Sequence, residues 1–237
     1  MPEAFGRVPG EMDLRDQGKR AAAEDAARLV KDGMALGLGT GSTVAFFLPL
    51  LADRTLRDLR CVATSAATEE SARALGIRVE PFDTLARLDM AVDGADQVAP
   101  DLWLVKGGGG AHTREKIVAA SADRFVVIVS WDKEVDRLGP PVPLEVLTFG
   151  FAATMHRLSE IGPVAPRETA ATPDGNLIVD YLGLFEDPRD LATALDADPG
   201  VVGHGLFPPE LVSEVIVGRI DGATERRPHR SADAGRP

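Results

Sequence analysis

Short apolar runs alternate with amphipathic helical patterns along most of this chain, and this alternation constrains the fold more than any other feature. The most strongly β-branched run is RFVVIVS at residues 124–130, and similar short runs begin at residues 34, 60 and 88. Helical stripes lie between them, such as the apolar residues at positions 44, 47, 48 and 51. Such alternation is typical of βαβ units, whose parallel strands are covered by helices on both faces. The sequence therefore predicts an α/β fold with a Rossmann-like, mostly parallel sheet covered by helices.

The pattern of alternating strands and helices changes at a proline-rich stretch, GPPVP, at residues 139–143. A helical pattern follows, and then the strand-like NLIVDYLG, the helix-like PRDLATALDADPG and the strand-like VVGHGLF. This mixture is typical of a small α+β unit, whereas the later SEVIVGRIDG has the pattern of a strand that returns to the first sheet. We therefore expect a discontinuous Rossmann-like catalytic domain, residues 1–140 and 206–237, and a smaller α+β second domain, residues 141–205.

Both ends of the chain have compositions that favour disorder. Residues 1–10 are rich in proline and glycine, and residues 224–237 are mostly charged and polar. A segment with so little apolar surface cannot offset the entropy that folding costs. We predict that residues 1–10 and 224–237 are disordered.

The charge and the cysteine content narrow the class of protein. The formal net charge is −11, which argues against a nucleic-acid-binding surface. Cys61 is the only cysteine, so no internal disulfide can form, and a reducing, cytoplasmic location is expected. No stretch approaches the roughly 18 apolar residues of a membrane span, and no signal-peptide pattern begins the chain. We expect a soluble protein that binds neither nucleic acid nor membrane.

Three glycine-rich or charged loops follow predicted strands: GLGTGST at 37–43, DGAD at 93–96 and KGGGG at 106–110. Each one alone is most simply a tight turn between a strand and a helix. In an open α/β sheet, however, ligands bind beyond the carboxyl ends of the strands. The three loops together therefore predict one ligand-binding crevice.

The loop GLGTGST matches neither of the common nucleotide-binding loops. It has no lysine before the hydroxyl residues, as a Walker loop requires, and Ser42 stands where a dinucleotide fingerprint has glycine. What remains is a set of backbone N–H groups and the hydroxyls of Thr40, Ser42 and Thr43 at a helix N-terminus. Such a nest suits a phosphate monoester, so a small phosphorylated ligand is favoured.

Four charged residues near the other two loops could carry chemistry. Asp93 and Asp96 suit Mg²⁺ binding, acid/base chemistry or the binding of a hydroxyl group, and the sequence alone leaves these open. Lys106 alone could simply extend to solvent, and Glu115 alone could simply favour the start of a helix. Together the four suit proton abstraction next to a carbonyl group. The four histidines show no metal-like spacing, so no metal is expected.

The order of these motifs resembles that of the A-type ribose-5-phosphate isomerases, whose fold is shared with glucosamine-6-phosphate deaminases and CoA transferases. The matching pieces span roughly residues 15–220 and include GLGTGSTV, TSAATEESARALGI, VDGADQV, VKGGGGAHTREKIVAA, WDKEVDRLG, DGNLIVD and PGVVGHGLF. The resemblance implies an aldose–ketose isomerase that interconverts D-ribose 5-phosphate and D-ribulose 5-phosphate in the pentose phosphate pathway. It also implies a small-molecule sugar phosphate as ligand, no cofactor or metal, and a homodimer or homotetramer.

The resemblance assigns roles residue by residue. Glu115 falls on the proton-shuttling glutamate, Asp93 and Asp96 on the paired aspartates, and Lys106 on the active-site lysine. Lys133 and Lys19 fall on lysines that assist phosphate binding. The expected substrate-binding residues are Thr40, Gly41, Ser42, Thr43, Asp93, Gly94, Ala95, Asp96, Lys106, Gly107, Gly108, Gly109, Lys133 and Lys19.

These assignments lead to a mechanism. Asp93 would move a proton as the sugar ring opens, and Glu115 would carry the C2 proton to C1 through a cis-enediolate. Since glutamate is ordinarily too weak a base, its pKa must be raised by burial and by the neighbouring aspartates. Lys106 and the N–H groups of Gly107 to Gly109 would stabilise the enediolate, and glycine would let the backbone approach the sugar.

Three positions depart from the usual family pattern: Gln97, Gly110 and His112. None of them removes a catalytic group, so they bear on details of the loops and on pH behaviour. His112 lies three residues before Glu115, and we consider the hypothesis that it perturbs that glutamate.

Two other classes of function remain open at this point. A CoA transferase or a sugar-phosphate deaminase of related fold could use a glutamate near a glycine loop. A non-enzymatic sugar-phosphate sensor could keep the same pocket without turnover. The order DGAD, KGGGG and TREK favours the isomerase over both.

Overall fold

The computed structural model describes residues 13–229. Its helices are α1 (Leu14–Ala27), α2 (Ser42–Asp53), α3 (Ala66–Ala74), α4 (His112–Ala120), α5 (Phe151–Ile161) and α6 (Pro188–Asp196). Its strands are β1 (Ala35–Leu38), β2 (Arg60–Ala63), β3 (Met90–Asp93), β4 (Gln97–Val98), β5 (Leu104–Val105), β6 (Phe125–Ser130), β7 (Val142–Val146), β8 (Val164–Pro166), β9 (Leu177–Tyr181), β10 (Val201–His204), β11 (Leu206–Phe207), β12 (Glu214–Gly218) and β13 (Thr224–Pro228). None of these helices has both the length and the apolar composition that crossing a bilayer requires.

A six-stranded sheet forms the centre of the molecule, with the strand order β13-β12-β6-β3-β1-β2. All neighbouring strands from β12 to β2 pair in parallel, and only β13 pairs antiparallel, at one edge. β12 returns to this sheet beside β6, as the pattern SEVIVGRIDG predicts. The predicted α/β fold with a mostly parallel sheet is confirmed.

β6 lies in the middle of the sheet because it is apolar on both faces, and all six of its residues are buried. Val126 and Ile128 belong to a core cluster with α1 and α2, whereas Val127 and Val129 pack in a second cluster on the other side. Successive strand residues point to opposite faces, so a continuous apolar run requires cover on both. Helices on both faces of the sheet supply it.

A second, antiparallel sheet has the strand order β10-β7-β9-β8 and packs with α5 and α6 around its own core cluster. It is joined to the small sheet β11-β5-β4 through Gly205, whose N–H donates to Pro143 and whose carbonyl accepts from the N–H of Lys106. These bonds place the second sheet next to the loop that follows β5. The division of the chain at residues 140 and 205 into two domains stays a prediction.

The end of the chain corrects one expectation. Residues 224–228, predicted to be disordered, form β13, which pairs with β12 over its whole length. Arg226 donates to both carboxylate oxygens of Asp25 on α1, at 2.9 and 2.7 Å. A polar edge strand is thus held by ladder hydrogen bonds and an ion pair, neither of which composition reveals. Residues 1–10 and 230–237 lie outside the described residues.

α1 packs on β12 closely enough to require glycine on both elements. A Cβ added at Gly18 would lie 2.7 Å from the carbonyl oxygen of Gly218, and one added at Gly218 would overlap the carbonyl oxygen of Gly18. Backbone atoms cannot move aside as a flexible side chain can, so this contact fixes the distance between α1 and the sheet.

We expect Gly218→Ala to lower the free energy of unfolding by about 1–3 kcal/mol, because the added methyl group forces α1 away from β12. Urea denaturation measures this loss. Gly139→Ala is the control, since a Cβ at Gly139 would meet no atom within 4 Å. Equal stability of the two variants would show that the close approach of α1 does not constrain the fold.

Candidate active site

The loops that follow β1, β3 and β5 meet at one pocket at the carboxyl ends of the parallel strands. Most of the residues singled out in the sequence line it. The lining residues are Thr40, Gly41, Ser42, Thr43, Gly94, Ala95, Asp96, Lys106, Gly107, Gly108, Gly109, Glu115 and Lys133. Asp93 lies beneath this lining, and Lys19 is not part of it.

The ammonium group of Lys106 joins two carboxylates at the base of the pocket. Its Nζ lies 2.9 Å from Oδ2 of Asp93 and 3.1 Å from Oε2 of Glu115. The three side chains are 2%, 3% and 5% exposed, so the charges are almost fully removed from water. The ammonium also donates to the carbonyl of Gly94. Such a buried cluster persists only because each charge has a partner of opposite sign.

The fold brings these three groups together from three elements. Asp93 ends β3, Lys106 follows β5, and Glu115 lies in the first turn of α4. β5 lies beside the loop that follows β3 because it pairs antiparallel with β4, and α4 begins there because it follows the glycine loop. Separations of 13 and 9 residues in the sequence thus become contacts of about 3 Å.

Asp93 is fixed by backbone donors from the neighbouring loops. Its Oδ1 accepts hydrogen bonds from the N–H of Thr40 at 2.9 Å and from that of Gly94 at 2.7 Å. Gly39 must lack a side chain, because an added Cβ would overlap the carboxylate of Asp93. Asp93 therefore links the loop after β1 to Lys106.

The environment changes the acidity of both buried carboxyl groups. Burial raises the pKa of Glu115 to about 7, with a further contribution from the negative charge of Asp93, while Lys106 opposes the shift. Burial also raises the pKa of Asp93 against the opposing effect of Lys106. Burial by itself would lower the pKa of Lys106, but the two carboxylates outweigh it and raise that pKa. The site therefore holds a permanent cation beside a carboxylate able to exchange a proton near neutral pH.

The loop after β1 ends at the N-terminus of α2, which begins at Ser42. Gly41 precedes it with φ +118°, a conformation that side-chain-bearing residues rarely adopt. The unpaired N–H groups at the start of a helix and its positive dipole attract anions. This end of the pocket is therefore suited to a phosphate group, with Lys133 also in the lining.

A hydroxyl cluster beneath this loop was not foreseen from the sequence. The hydroxyl oxygen of Thr40 lies 2.7 Å from that of Thr64 and 2.9 Å from that of Ser65, and Thr68 donates to the carbonyl of Gly39. Thr40 thus uses its hydroxyl to hold the loop in place. The stretch ATSAAT contains the three partners, but nothing in the sequence shows that they face Thr40.

Two close contacts restrict the conformation of the glycine loop after β5. Gly107 has φ +97°, and an added Cβ would lie 2.6 Å from Nδ1 of His112. The N–H of Gly108 donates to Oδ2 of Asp96 at 2.8 Å. Glycine at 107 is thus required both by backbone conformation and by the buried imidazole below it.

His112 is completely buried, and burial lowers its pKa to about 3, with a further contribution from the charge of Lys116. The ring is therefore neutral at physiological pH. It is not among the groups that chiefly determine the pKa of Glu115. The hypothesis that His112 perturbs Glu115 stays a prediction, and the ring lies directly against Gly107.

The other two departures from the family pattern also have local explanations. The side-chain amide of Gln97 donates to the carbonyl of Gly139 at 2.9 Å and accepts from its N–H at 2.8 Å. Gly110 has φ +75° and donates its N–H to the carbonyl of Gly107, closing the turn. Both residues hold loops in place.

Lys19 is not brought to the pocket lining. Its Nζ lies 2.9 Å from Oδ1 of Asp16, one turn earlier on α1. A role of Lys19 in binding phosphate stays a prediction.

Comparison with known proteins identifies close relatives. The sequence profile of the family described as ribose 5-phosphate isomerase A (phosphoriboisomerase A) matches residues 60–222. The chain is 45% identical to ribose-5-phosphate isomerase A of Caulobacter vibrioides, over 90% of this chain and 99% of that protein. It is similar in structure to ribose 5 phosphate isomerase A from Neisseria gonorrhoeae, with a TM-score of 0.87 and 32% identity over 93% of this chain and 100% of that one. A D-ribose-5-phosphate isomerase solved in complex with phospho-erythronic acid gives a TM-score of 0.85 and 34% identity, over 92% of this chain and 100% of that one.

We expect Glu115 to titrate with a midpoint near 7 in the unliganded protein, as its buried position dictates. Carboxyl-selective ¹³C NMR measures this midpoint, and the spectrum of Glu115→Gln assigns the signal. Asp93→Asn should lower the midpoint, because it removes a neighbouring negative charge while keeping the oxygen that accepts the backbone N–H groups. Asp101→Asn, outside the pocket, should not move it. A midpoint at the ordinary value for glutamate would contradict this description of the site.

Proposed function

The chain belongs to the ribose-5-phosphate isomerase A family and is therefore an aldose–ketose isomerase, and we propose that its pocket carries out the reaction by proton transfer through Glu115. The substrate is D-ribose 5-phosphate and the product D-ribulose 5-phosphate. The observation that carries the mechanism is a buried carboxylate with a pKa of about 7 beside a buried ammonium group.

Glu115 has the properties that a base for this reaction needs. Moving hydrogen from C2 to C1 requires a group that accepts a proton from carbon and then returns it, and such a group works best when its pKa is near the working pH. Since burial raises the pKa of Glu115 to about 7, its carboxylate is a stronger base than an exposed glutamate. Glu115 lines the pocket, so a bound sugar can reach it.

The negative charge of the enediolate requires donors that are already in place. Lys106 supplies an ammonium group, and the glycine loop, which also lines the pocket, supplies backbone N–H groups. In a site shielded from water such donors stabilise a developing oxyanion strongly, and removing one costs about 10²–10³ in rate in other enzymes. Lys106 contacts Glu115 directly, so the charge is neutralised where the proton moves.

The phosphate group would bind at the N-terminus of α2. Ser42 and Thr43 begin α2 and offer hydroxyl and backbone donors, and Lys133 in the same pocket lining offers an ammonium group. A phosphate bound there would leave C1 and C2 to reach Glu115, which lines the same pocket. The carboxylate of phospho-erythronic acid resembles the planar enediolate, and we expect this pocket to bind that compound as well.

Ring opening needs a carboxyl group that moves a proton between the ring oxygen and the anomeric hydroxyl. The assignment of this step to Asp93 stays a prediction, because the oxygens of Asp93 face two backbone N–H groups and Lys106. Asp96 is exposed and lines the pocket, which makes it the second candidate for the step.

The proposed chemistry involves no metal or cofactor, and this stays a prediction that a chelator tests. The homodimer or homotetramer, the cytoplasmic location and the absence of nucleic-acid binding also stay predictions from the sequence.

We expect the EDTA-treated protein to convert ribose 5-phosphate to ribulose 5-phosphate, and Glu115→Gln to lose about three orders of magnitude in kcat while remaining folded. Glutamine keeps the shape of the side chain but cannot accept the proton. Glu24→Gln, on the surface of α1, is the control. Near-normal turnover by Glu115→Gln would remove this residue from the role of base. Ammonia release or acyl transfer in place of isomerisation would favour the related enzymes.

We expect Ser42→Ala combined with Thr43→Ala to raise KM roughly tenfold or more with a smaller change in kcat, because hydrogen bonds to a charged group are lost in the ground state and the transition state alike. Steady-state kinetics with ribose 5-phosphate measure both constants. Ser71→Ala on α3, whose hydroxyl donates only to Ala67, is the control. An unaltered KM would place the phosphate elsewhere.

A further inference from the structure

Arg167, directly after β8 in the second sheet, makes two sets of hydrogen bonds at once. Its Nη1 donates to the carbonyl oxygens of Gly107 and Gly108, at 3.1 and 3.0 Å. Its Nε and Nη2 donate to the two carboxylate oxygens of Asp180 on β9, at 2.6 Å each. The guanidinium group thus connects the second sheet to the glycine loop of the pocket.

These contacts determine which way the glycine-loop peptides face. In a trans peptide the carbonyl and the following N–H point in opposite directions. With both carbonyls held by Arg167, the N–H groups of Gly108 and Gly109 face the other side of the loop. The N–H of Gly108 reaches Oδ2 of Asp96, which lines the pocket, and Gly109 lines the pocket as well.

A run of glycines needs such an external contact. Without side chains the loop can adopt many conformations, and it has no side-chain packing of its own to select one. Arg167 can select one because its own position is determined by a bidentate bond to Asp180, and both side chains are only 18% exposed. A planar, doubly anchored guanidinium group positions a backbone better than a flexible ammonium could.

The positive charge of Arg167 also makes the glycine loop a better hydrogen-bond donor. A carbonyl that accepts a hydrogen bond from a cation polarises its peptide unit, which makes the N–H at the other end a stronger donor. The carbonyl of Gly108 therefore prepares the N–H of Gly109 for an anionic oxygen in the pocket, while that of Gly107 strengthens the bond from Gly108 to Asp96.

We propose that Arg167, held by Asp180, is a positioning residue that orients the peptides of the glycine loop toward the enediolate. The inference rests on the proposed function and extends it, since it gives the second sheet a part in the reaction without contact between Arg167 and the substrate. The oxyanion donors would then depend on a residue about 60 positions away in the sequence.

The first test compares Arg167→Ala with Arg157→Ala, which removes an arginine bound to Asp198 and Thr154. We expect Arg167→Ala to lower kcat about 10- to 100-fold and to change KM by less than about threefold, since misaligned donors weaken transition-state stabilisation more than substrate binding. Arg157→Ala should keep both constants near the wild type. Arg167→Lys should share the defect, because an ammonium lacks the planar fork with which Nε and Nη2 hold Asp180 while Nη1 reaches both carbonyls. Full activity of Arg167→Lys would overturn the proposal.

The second test separates orientation of the loop from general damage. We expect Arg167→Ala to bind phospho-erythronic acid more weakly, by about the factor lost in kcat, and inorganic phosphate as tightly as the wild type does. Calorimetry with these two probes measures both affinities. Equal loss for both probes, or no loss for either, would overturn the proposal. Wild-type protein without isomerase activity would overturn the proposed function instead, and the two affinities would still report on the loop.

The third test asks whether Asp180 acts through Arg167. We expect Asp180→Asn to lower kcat less than Arg167→Ala does, and the double variant to match Arg167→Ala alone, because Asp180 has no effect once its partner is gone. Additive losses would overturn this part of the proposal. Should Arg167→Ala fail to fold, as judged by circular dichroism, Asp180→Asn carries the same two-probe measurement with the arginine in place.

Discussion

The rest of the site depends on one interaction, the contact of the buried Lys106 ammonium with the carboxylates of Asp93 and Glu115. Removing three charges from water is costly, and the cost is offset only when each charge keeps a partner at close range. Burial is also what raises the pKa of Glu115 to about 7. The same lack of water that makes this cluster expensive for stability thus makes it useful for moving a proton near neutral pH.

Close approach of backbone to side chain is the second constraint, and it explains why glycine recurs around the pocket. Gly39 makes room for the carboxylate of Asp93, and Gly107 lies against the ring of His112. The loops that result carry N–H groups instead of side chains toward the ligand. Such loops need support from outside, which the hydroxyls around Thr40 provide on one side and Arg167 provides on the other.

Patterns within a short stretch of sequence predicted much of this architecture. The apolar runs predicted a parallel sheet because a strand buried on both faces needs apolar residues on both, as Phe125 to Val129 of β6 supply. Motifs at the ends of β1 and β3 predicted a pocket because parallel strands place their carboxyl ends at one edge, whereas the glycine loop reaches it from β5 of the small antiparallel sheet. The strand β13 was missed because its residues are polar, and its stability comes from pairing with β12 and from Asp25, about 200 residues earlier.

The sequence by itself determined the parallel α/β architecture, the family resemblance and the set of residues that could form the pocket, because these follow from local periodicity and from motif order. Only the tertiary structure decided that Asp93 lies beneath the pocket while Asp96 faces it, that His112 is buried against Gly107, and that Arg167 reaches the glycine loop. The physical reason is that burial and long-range contact determine solvation and orientation, and a chain has neither before its distant segments have packed together.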